Sequence, residues 1–285
     1  MYSIIGQSNS SEDDLELVPW WSFGKTVLAI AIFKLIDQKK LNLNKSYYNL
    51  KGTLKQLLRH EAGLPDYANS KLYHEAVLNN KTPWSFDEMI KITQSDILLF
   101  EPGESWQYSN IGYYYICKLI EETTQMTLEA ALYDLLFTPV GIVDVKVALE
   151  KCDLEGCKFI KEGYDPGWLY HGMVIGSLRS ACLLLHELST GNLISRISYE
   201  TMRDTYDLNF DIGNRPWKKP SYAHGLMIDH QVGKDYSIGH TGMGPESVIA
   251  VYHYFTPPCT IAVSKKTNDQ GSVEFEVEKL RHTLR

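Results

Sequence analysis

Trp20-Trp21-Ser22-Phe23-Gly24-Lys25 leads directly into the apolar run Thr26-Val27-Leu28-Ala29-Ile30-Ala31-Ile32-Phe33-Lys34-Leu35-Ile36. The run is apolar on nearly every side of a helix, and such a helix is buried rather than half-exposed. Ser22 and Lys25 are three residues apart, so their side chains share one face of that helix. The stretch therefore predicts a buried central helix with a serine and a lysine together at its N-terminal end.

The Ser22-x-x-Lys25 pair has two interpretations. In the catalytic one, the lysine accepts the proton of the serine hydroxyl, and the helix N-terminus favours the negative charge that develops. In the structural one, Ser22 is an N-cap and Lys25 is simply a residue of the first turn. About one chance match to so loose a pattern is expected in a chain of 285 residues. The rest of the chain has to decide between the two.

Size and composition fit one large domain, or two closely packed lobes. The 285 residues are 44% hydrophobic and carry a formal net charge of −7, which allows a large core. The acidic balance argues against nucleic acid or an anionic membrane surface as a partner. The longest apolar run, residues 27–36, is about half the length of a membrane-spanning helix. No membrane span is therefore expected.

The cellular location is predicted from the N-terminus and the cysteines. Residues 1–10 contain neither a basic segment nor a long apolar one, so no signal peptide is visible. Five cysteines, spread thinly, fit a reducing compartment better than a disulfide framework. The default expectation is cytoplasmic, with a periplasmic or secreted location as the alternative if the N-terminus is trimmed.

The order of the predicted elements indicates an α+β fold. Residues 1–14 are predicted to be a polar tail, and residues 15–18 a short strand. Helices are predicted at 53–60, 85–93, 111–122, 127–137, 177–188 and 273–284, and strands at 222–229, 235–239, 247–255 and 260–264. We expect one domain over residues 1–285, with an antiparallel sheet in its α/β part (15–40 and 177–285) and an inserted all-helical lobe (41–176).

Two further polar motifs lie where predicted elements begin or end, so each could face a cleft between the lobes. They are Tyr108-Ser109-Asn110 and His240-Thr241-Gly242. Taken singly, Tyr108 is more often a half-buried core tyrosine, and His240 more often a strand residue at the surface. Three loose motifs in one order are a stronger signal than any one of them.

With Ser22-x-x-Lys25, these motifs resemble the penicillin-binding protein and class C β-lactamase superfamily of serine hydrolases. That family carries Ser-x-x-Lys, Tyr-x-Asn and Lys/His-Thr-Gly, the last on an edge strand. Residues 57–67 are similar to its Leu-Leu-x-His-x-Ser-Gly-Leu segment, residues 102–113 to its Pro-Gly lead into the tyrosine motif, and residues 172–191 to the glycine-rich approach and helix that follow. The resemblance covers the chain from about Leu15 to the C-terminus.

The resemblance implies a serine acyl hydrolase of the β-lactamase or DD-peptidase type. Ser22 would be the nucleophile that forms an acyl-enzyme, and a partly desolvated Lys25 would be its base. Tyr108 would share the proton transfer; its phenol is a weak base unless a nearby ammonium lowers its pKa. Asn110 would hydrogen-bond both the lysine and a substrate amide.

The strand motif would supply the rest of the site. The backbone amides of Ser22 and Met243, the residue after Gly242, would form an oxyanion hole. His240 and Thr241 would line the far side of the substrate. No metal or other cofactor is implied, and Cys152 and Cys157 lack a second pair of ligands at zinc spacing.

Departures from the family pattern bear on the substrate and on the sheet. His240 replaces a lysine that grips substrate carboxylates, and histidine is mostly neutral at pH 7, which favours esters, amides or small peptides over anionic β-lactams. Only residues 1–21 precede the helix, so either the sheet is smaller, or the start is trimmed, or the chain is a degenerate relative. A smaller sheet would expose an edge, which a homodimer could cover. Trp20 and Trp21 replace small residues and could narrow the cleft or pack beneath it.

Two functions follow from these observations. The first is an active hydrolase whose partner is a small-molecule or peptide substrate. The alternative is a catalytically degenerate relative that keeps the cleft and serves as a binding or interaction protein. The short N-terminal segment and the tryptophan pair are the features that motivate the alternative.

Overall fold

The computed structural model describes residues 1–6, 10–12, 16–231 and 236–284. The helices in these residues are α1 (Phe23–Asp37), α2 (Leu54–Leu58), α3 (Lys71–Leu78), α4 (Phe86–Thr93), α5 (Asn110–Thr124), α6 (Leu128–Leu132), α7 (Leu178–Ser189), α8 (Arg196–Met202) and α9 (Gln270–Thr283). The strands are β1 (Tyr2–Gly6), β2 (Ser10–Glu12), β3 (Val18–Pro19), β4 (Lys146–Ala148), β5 (Met173–Gly176), β6 (Tyr206–Asp207), β7 (Pro220–Tyr222), β8 (Met227–His230), β9 (Tyr236–Gly244), β10 (Ser247–Phe255) and β11 (Pro258–Lys265).

An antiparallel sheet forms the centre of the α/β part, with strand order β2-β1-β11-β10-β9-β8-β7-β6. Side chains alternate between the faces of a strand. On β10, Val248, Ala250 and Tyr252 pack with α9, whereas Ile249 and Val251 face the larger core that contains α1 and α7. A sheet covered on both faces explains why this strand is apolar without interruption. The predicted α+β class is confirmed.

Helix α1 is the buried central helix that the opening stretch predicts. Twelve of its residues are buried, and these include Lys25 and the run from Thr26 to Phe33. It packs against β9 on one side and against α5 and α8 on others. Helices α2 and α4 lie within the helices predicted at 53–60 and 85–93, and Thr53 and Ser85 close capping boxes at their starts.

The prediction that residues 1–14 form a tail is wrong for the part that the structure describes. Strand β1 pairs with β11 from Tyr2↔Val263 to Gly6↔Cys259, β2 pairs with β1, and Ile4 is buried. Residues 7–9 and 13–15 lie outside the described residues. β1 therefore adds a strand beside β11 at the side of the sheet that the sequence analysis left short.

The stretch 41–176 is not all-helical. Besides α2–α6 it contains β4 and β5, which form a three-stranded sheet with β3. This sheet holds the chain just before Ser22, because Val18 pairs with Gly176 and the Trp20 amide donates to Val174 O at 2.9 Å.

The strand expected at 222–229 is two strands, β7 and β8, separated by a turn at Gly225. The strand expected at 235–239 runs on to Gly244, and residue 235 lies outside the described residues.

A helix that crosses a lipid bilayer needs about 20 predominantly apolar residues. None of the helices in the described part of the chain combines the length and the hydropathy that crossing a membrane requires.

Candidate active site

Ser22 lies at the mouth of α1, where the backbone is held in an unusual conformation. Trp21 has φ +41, a value that a bulky residue rarely adopts and that surrounding contacts must maintain. The Trp21 indole donates to Ser247 Oγ at 2.9 Å, and the Trp20 indole donates to Gly176 O at 3.2 Å. Both indoles are buried beneath the helix mouth, and the Trp21 ring also borders one of the two cavities described below.

The hydroxyl of Ser22 contacts two other motif side chains. It makes no capping bond to the helix that it opens. Instead, Ser22 Oγ lies 3.3 Å from Lys25 Nζ and 2.9 Å from the Tyr108 hydroxyl, which donates to it. The structure thus brings together the serine, lysine and tyrosine that sequence analysis singled out.

Lys25 is fully buried at the base of the site. Burial disfavours its ammonium form and lowers its pKa to about 7, although the negative charge of Asp66 works in the opposite direction. The amine can therefore exchange a proton near neutral pH, which an exposed lysine with a pKa of 10.5 cannot do.

Asn110 and Asp66 hold the lysine from the side of the helical lobe. Lys25 Nζ donates to Asn110 Oδ1 at 2.6 Å, while Asn110 Nδ2 donates to both carboxyl oxygens of Asp66, at 3.0 and 3.1 Å. The two contacts of the amide fix which of its ends faces the lysine. Burial raises the pKa of Asp66, which its hydrogen bonds and Lys25 oppose. In the sequence Asp66 stood out only as part of the segment 57–67, with no role of its own.

The phenol of Tyr108 stays protonated. Burial raises its pKa, and the hydrogen bond to Ser22 offsets only part of this effect. The lysine ammonium lies 4.9 Å from the centroid of the ring, over its face, and does not reverse the direction of the shift. Tyr108 is therefore a hydrogen-bond donor to Ser22 in the resting site, and the condition under which it would be a resting base is not met.

His171 is a contact that sequence analysis missed. Its Nε2 lies 3.4 Å from Lys25 Nζ, and its ring is fully buried. The residue precedes β5 in a stretch without a readable motif, and its approach to Lys25 spans 146 residues of sequence. No local pattern could have predicted this contact.

Strand β9 brings the third motif against the helix mouth. A Cβ on Gly242 would lie 2.6 Å from Ser22 N and 2.7 Å from Trp20 O, so the strand passes this close only because the residue is glycine. Thr241 lies on the other face of the strand, where its hydroxyl contacts Tyr252 and Glu274. Met243 is partly exposed beside the site.

His240, the first residue of the strand motif, lies inside the protein. Its ring is fully buried, with Nε2 3.1 Å from the Tyr222 hydroxyl and Nδ1 2.8 Å from Thr241 O. Burial lowers its pKa to about 3, so the ring is neutral. The lining of the cavity beside Ser22 includes Thr241 and Met243 but not His240, among the residues described. His240 is thus set behind the residues that line this cavity, and its predicted place beside the substrate stays a prediction.

Two cavities meet at Ser22. One, of about 340 Å³, has largely aromatic and apolar walls that include Trp106, Phe210, Ile212, Trp217, Tyr222 and Tyr252. The other, of about 520 Å³, is lined by a second set that includes Trp21, Tyr67, Tyr73, Val77, Tyr164 and Leu169. Ser22, Asn110 and Met243 border both. A bond placed over Ser22 would therefore have an apolar recess on each side.

Replacing Gly242 with alanine tests the close approach of β9 to the helix mouth. We expect Gly242→Ala to lower the free energy of unfolding by about 1–3 kcal/mol, the usual cost of overpacking, because the new Cβ meets backbone atoms that cannot rotate away. Denaturant unfolding measures this. Gly24→Ala is the matched control, since its Cβ would meet only Val174 Cγ2, at 3.8 Å. Equal stability of the two variants would contradict the expectation.

Comparison with known proteins was made on sequence and on structure. A family model described as Beta-lactamase matches residues 7–283. Penicillin-binding protein 4* of Bacillus subtilis (strain 168) is 29% identical over 117 residues, which are 39% of this chain and 25% of that protein. Protein flp of Staphylococcus aureus (strain MW2) is 28% identical over 129 residues, 41% of this chain and 25% of that protein. The chain thus matches about a quarter of the length of these relatives.

Solved structures share the fold over nearly the whole chain. D-amino acid amidase from Ochrobactrum anthropi SV3 superposes with a TM-score of 0.80 at 18% identity, covering 99% of this chain and 94% of that one. An octameric penicillin-binding protein homologue from Pyrococcus abyssi gives 0.79 at 19% identity, covering 99% and 73%. At such identities the likeness establishes the fold alone. Since the family model covers residues 7–283, the chain belongs to the beta-lactamase family.

Proposed function

We propose that this protein is a serine acyl hydrolase that cleaves an amide or ester bond through an acyl-enzyme on Ser22. The observation that carries the proposal is the pair of contacts to Ser22 Oγ, one from a fully buried lysine and one from a protonated phenol. With a pKa of about 7, Lys25 is present as a free amine in a large fraction of molecules at neutral pH. A serine beside such an amine is an activated nucleophile.

The proposed reaction uses each group in turn. Ser22 Oγ attacks the carbonyl carbon while its proton passes to Lys25 Nζ, and the amides of Ser22 and Met243 donate to the oxyanion. As the intermediate collapses, the proton travels from Lys25 through the Tyr108 hydroxyl to the leaving nitrogen or oxygen, and the acyl group remains on Ser22. Water then attacks the ester by the same steps, which frees the acid and restores the serine.

The charges around Ser22 favour a substrate without a negative charge. In the wall of the smaller cavity, Arg215 is paired with the buried Glu274 at 2.5 Å, and Asp66 and Asp229 add carboxyl groups. An anionic β-lactam would meet these carboxyls and a cation that is already neutralised, and like-charge contacts of this kind are unfavourable. Neutral amides, esters or small peptides with an apolar group on either side of the bond fit better.

A labelling experiment tests the proposal. Folded protein is incubated with a fluorophosphonate probe, and the modified peptide is identified by mass spectrometry. We expect stoichiometric modification of Ser22. Nitrocefin, p-nitrophenyl esters and D-amino-acid amides are then compared, the last because one fold neighbour is named a D-amino acid amidase. Folded protein that no acylating reagent modifies would overturn the proposal and leave the non-catalytic binding role.

Removing the phenol hydroxyl tests the proton path. We expect Tyr108→Phe to lower kcat by about 10²-fold or more, because a general acid–base group contributes that order of rate, with little change in KM. Steady-state kinetics on the best substrate of the screen measures both. Tyr133→Phe is the control, since its hydroxyl donates to Val145 O. A Tyr108→Phe variant with full kcat would remove this residue from the mechanism.

A further inference from the structure

We infer that His171 is a positioning residue for the lysine: its Nε2 holds one N–H of Lys25, so that the amine lone pair faces the hydroxyl of Ser22. The inference rests on the proposed function, in which Lys25 accepts the Ser22 proton. It adds a residue that none of the three sequence motifs contains. His171 would act through Lys25 and would not touch the substrate.

Lys25 as a neutral amine can make only a small set of hydrogen bonds. Lys25 Nζ has three neighbours in reach, Asn110 Oδ1 at 2.6 Å, Ser22 Oγ at 3.3 Å and His171 Nε2 at 3.4 Å. A neutral amine has two N–H groups and one lone pair. A base needs its lone pair on the serine proton, so the two N–H groups must go to the other two neighbours.

The first of those neighbours is fixed as an acceptor. Asn110 Nδ2 donates to both oxygens of Asp66, so Asn110 Oδ1 faces Lys25 and takes one N–H. In the arrangement in which Lys25 accepts the Ser22 proton, the lone pair points at Ser22 Oγ, so the second N–H goes to His171 Nε2, the remaining neighbour. Without His171, the amine could rotate about its last bond and turn its lone pair away from Ser22.

The surroundings of His171 keep its ring neutral, as this role requires. Burial lowers its pKa well below the ordinary value, and the nearby charge of Lys25 acts in the same direction. A neutral ring can accept at Nε2 when its proton is on Nδ1. Nδ1 is buried with no hydrogen-bond partner among the described residues, so the contact with Lys25 alone sets the tautomer, and the ¹⁵N measurement below determines it.

The other titratable groups facing the pair are Asp66, Tyr108, Tyr113, His60 and His240. Burial keeps the two phenols protonated and the two other histidines neutral. Lys25 and Asp66 are thus the groups whose charge can change around the site. A change of charge on either group leaves His171 neutral, so the proposed contact does not depend on it.

The backbone around His171 is fixed to the backbone around Ser22. Strand β5 begins two residues after His171, and it pairs with β3, which leads into the helix mouth. The Trp20 amide donates to Val174 O at 2.9 Å. The histidine and the serine are therefore held by one small sheet, which suits a residue that sets an angle rather than one that moves.

The test is the pH dependence of Ser22 modification by a fluorophosphonate in wild type, His171→Phe and His171→Gln. We expect His171→Phe to lower the plateau rate by about 10–100-fold, the order of loss that misplaced reacting groups cause. We also expect the acidic limb of its pH–rate profile to move to lower pH by roughly one unit. The hydrogen bond from Lys25 to His171 is stronger when Lys25 is an ammonium than when it is an amine, so its loss lowers the pKa of Lys25. His171→Gln, whose amide oxygen can accept at a similar reach, should restore most of the plateau.

His253→Phe is the control for replacing a buried histidine, since His253 contacts Thr260 and Phe255; its profile should match wild type. A His171→Phe profile equal to wild type would overturn the inference. So would a lower plateau with an unmoved limb and no recovery in His171→Gln, which is what a purely structural role gives. Failure of the wild type to react at all is a different result, because it counts against the proposed function.

A second measurement does not depend on reactivity. In protein labelled with ¹⁵N-histidine, the His171 signals are assigned by their loss in His171→Gln. We expect Nε2 to resonate as an unprotonated nitrogen between pH 6 and 9 and to shift as Lys25 titrates, and this shift should vanish in Lys25→Met. A proton on Nε2 would overturn the inference even if Ser22 proves unreactive.

Discussion

Ser22→Ala is expected to abolish modification by fluorophosphonates and to lower hydrolysis by about 10⁴-fold or more, since losing the nucleophile of a serine hydrolase costs up to about 10⁶-fold. The change should leave the fold intact. Ser22 makes no capping bond to α1, and its loss removes the acceptor of the Tyr108 hydroxyl, so the free energy of unfolding should fall by only about 0.5–1.5 kcal/mol. Intact-protein mass spectrometry and denaturant unfolding measure the two effects.

The control for this variant is Ser70→Ala. Ser70 also precedes a helix, α3, and its side chain makes no capping bond either. It should retain full labelling. Ser22→Ala protein that is still modified, or whose activity persists, would show that another residue is the nucleophile. Loss of activity in both variants would point to a general disturbance of the helical lobe.

Lys25→Met is expected to lower the acylation rate of Ser22 by about 10²–10⁴-fold, the usual contribution of a general base. Methionine keeps the length and most of the apolar volume of the side chain but has no proton acceptor of comparable strength. Lys40→Met, at the exposed position after α1, is the control. An unchanged acylation rate in Lys25→Met would exclude the lysine as the base.

The same variant should change how stability depends on pH. The pKa of Lys25 falls from 10.5 in the unfolded chain to about 7 in the folded one. This shift corresponds to a free-energy cost of about 5 kcal/mol for keeping the ammonium form in the folded protein. Below pH 7 the lysine is protonated in both states, so the full penalty applies. Between pH 7 and 10.5 the unfolded chain binds the proton and the folded chain does not, so wild-type stability rises with pH.

The measurable quantity is the difference in unfolding free energy between Lys25→Met and wild type. We expect the advantage of the variant to be largest at pH 6 and to shrink steadily between pH 7 and 9.5. Denaturant unfolding at four or five pH values gives this slope, and Lys40→Met should show none. A difference that does not vary with pH would mean that the lysine stays charged in the folded protein.

Strand β1 at the N-terminus could not be predicted from the residues close to it in sequence. Tyr2–Gly6 is too brief to display a reliable alternation, and its burial depends on pairing with β11 more than 250 residues later in the chain. No residue near β1 in the sequence indicates that β11 is its partner. The same holds for β4 and β5, which are three and four residues long and lie in a stretch whose periodicity predicts neither helix nor strand.

The sequence by itself determined the features that local patterns carry. The all-round apolar run after Lys25 determined a buried helix, spacing on that helix placed Ser22 and Lys25 on one face, and side-chain caps marked where α2 and α4 begin. Motif order also indicated that Tyr108 belongs with them. Apart from the motif order, each of these signals lies within one helix or one short motif, where propensity and periodicity act.

Only the tertiary structure decided what lies around those residues. In the folded chain His240 is buried and contacts the Tyr222 hydroxyl, and Asp66 accepts a hydrogen bond from Asn110. The tertiary structure also brought His171 to Lys25 from a distant part of the chain. The reason is physical: burial and the charges of non-local neighbours set the pKa of Lys25 and the direction of its lone pair, and neither quantity is encoded by the residues beside it.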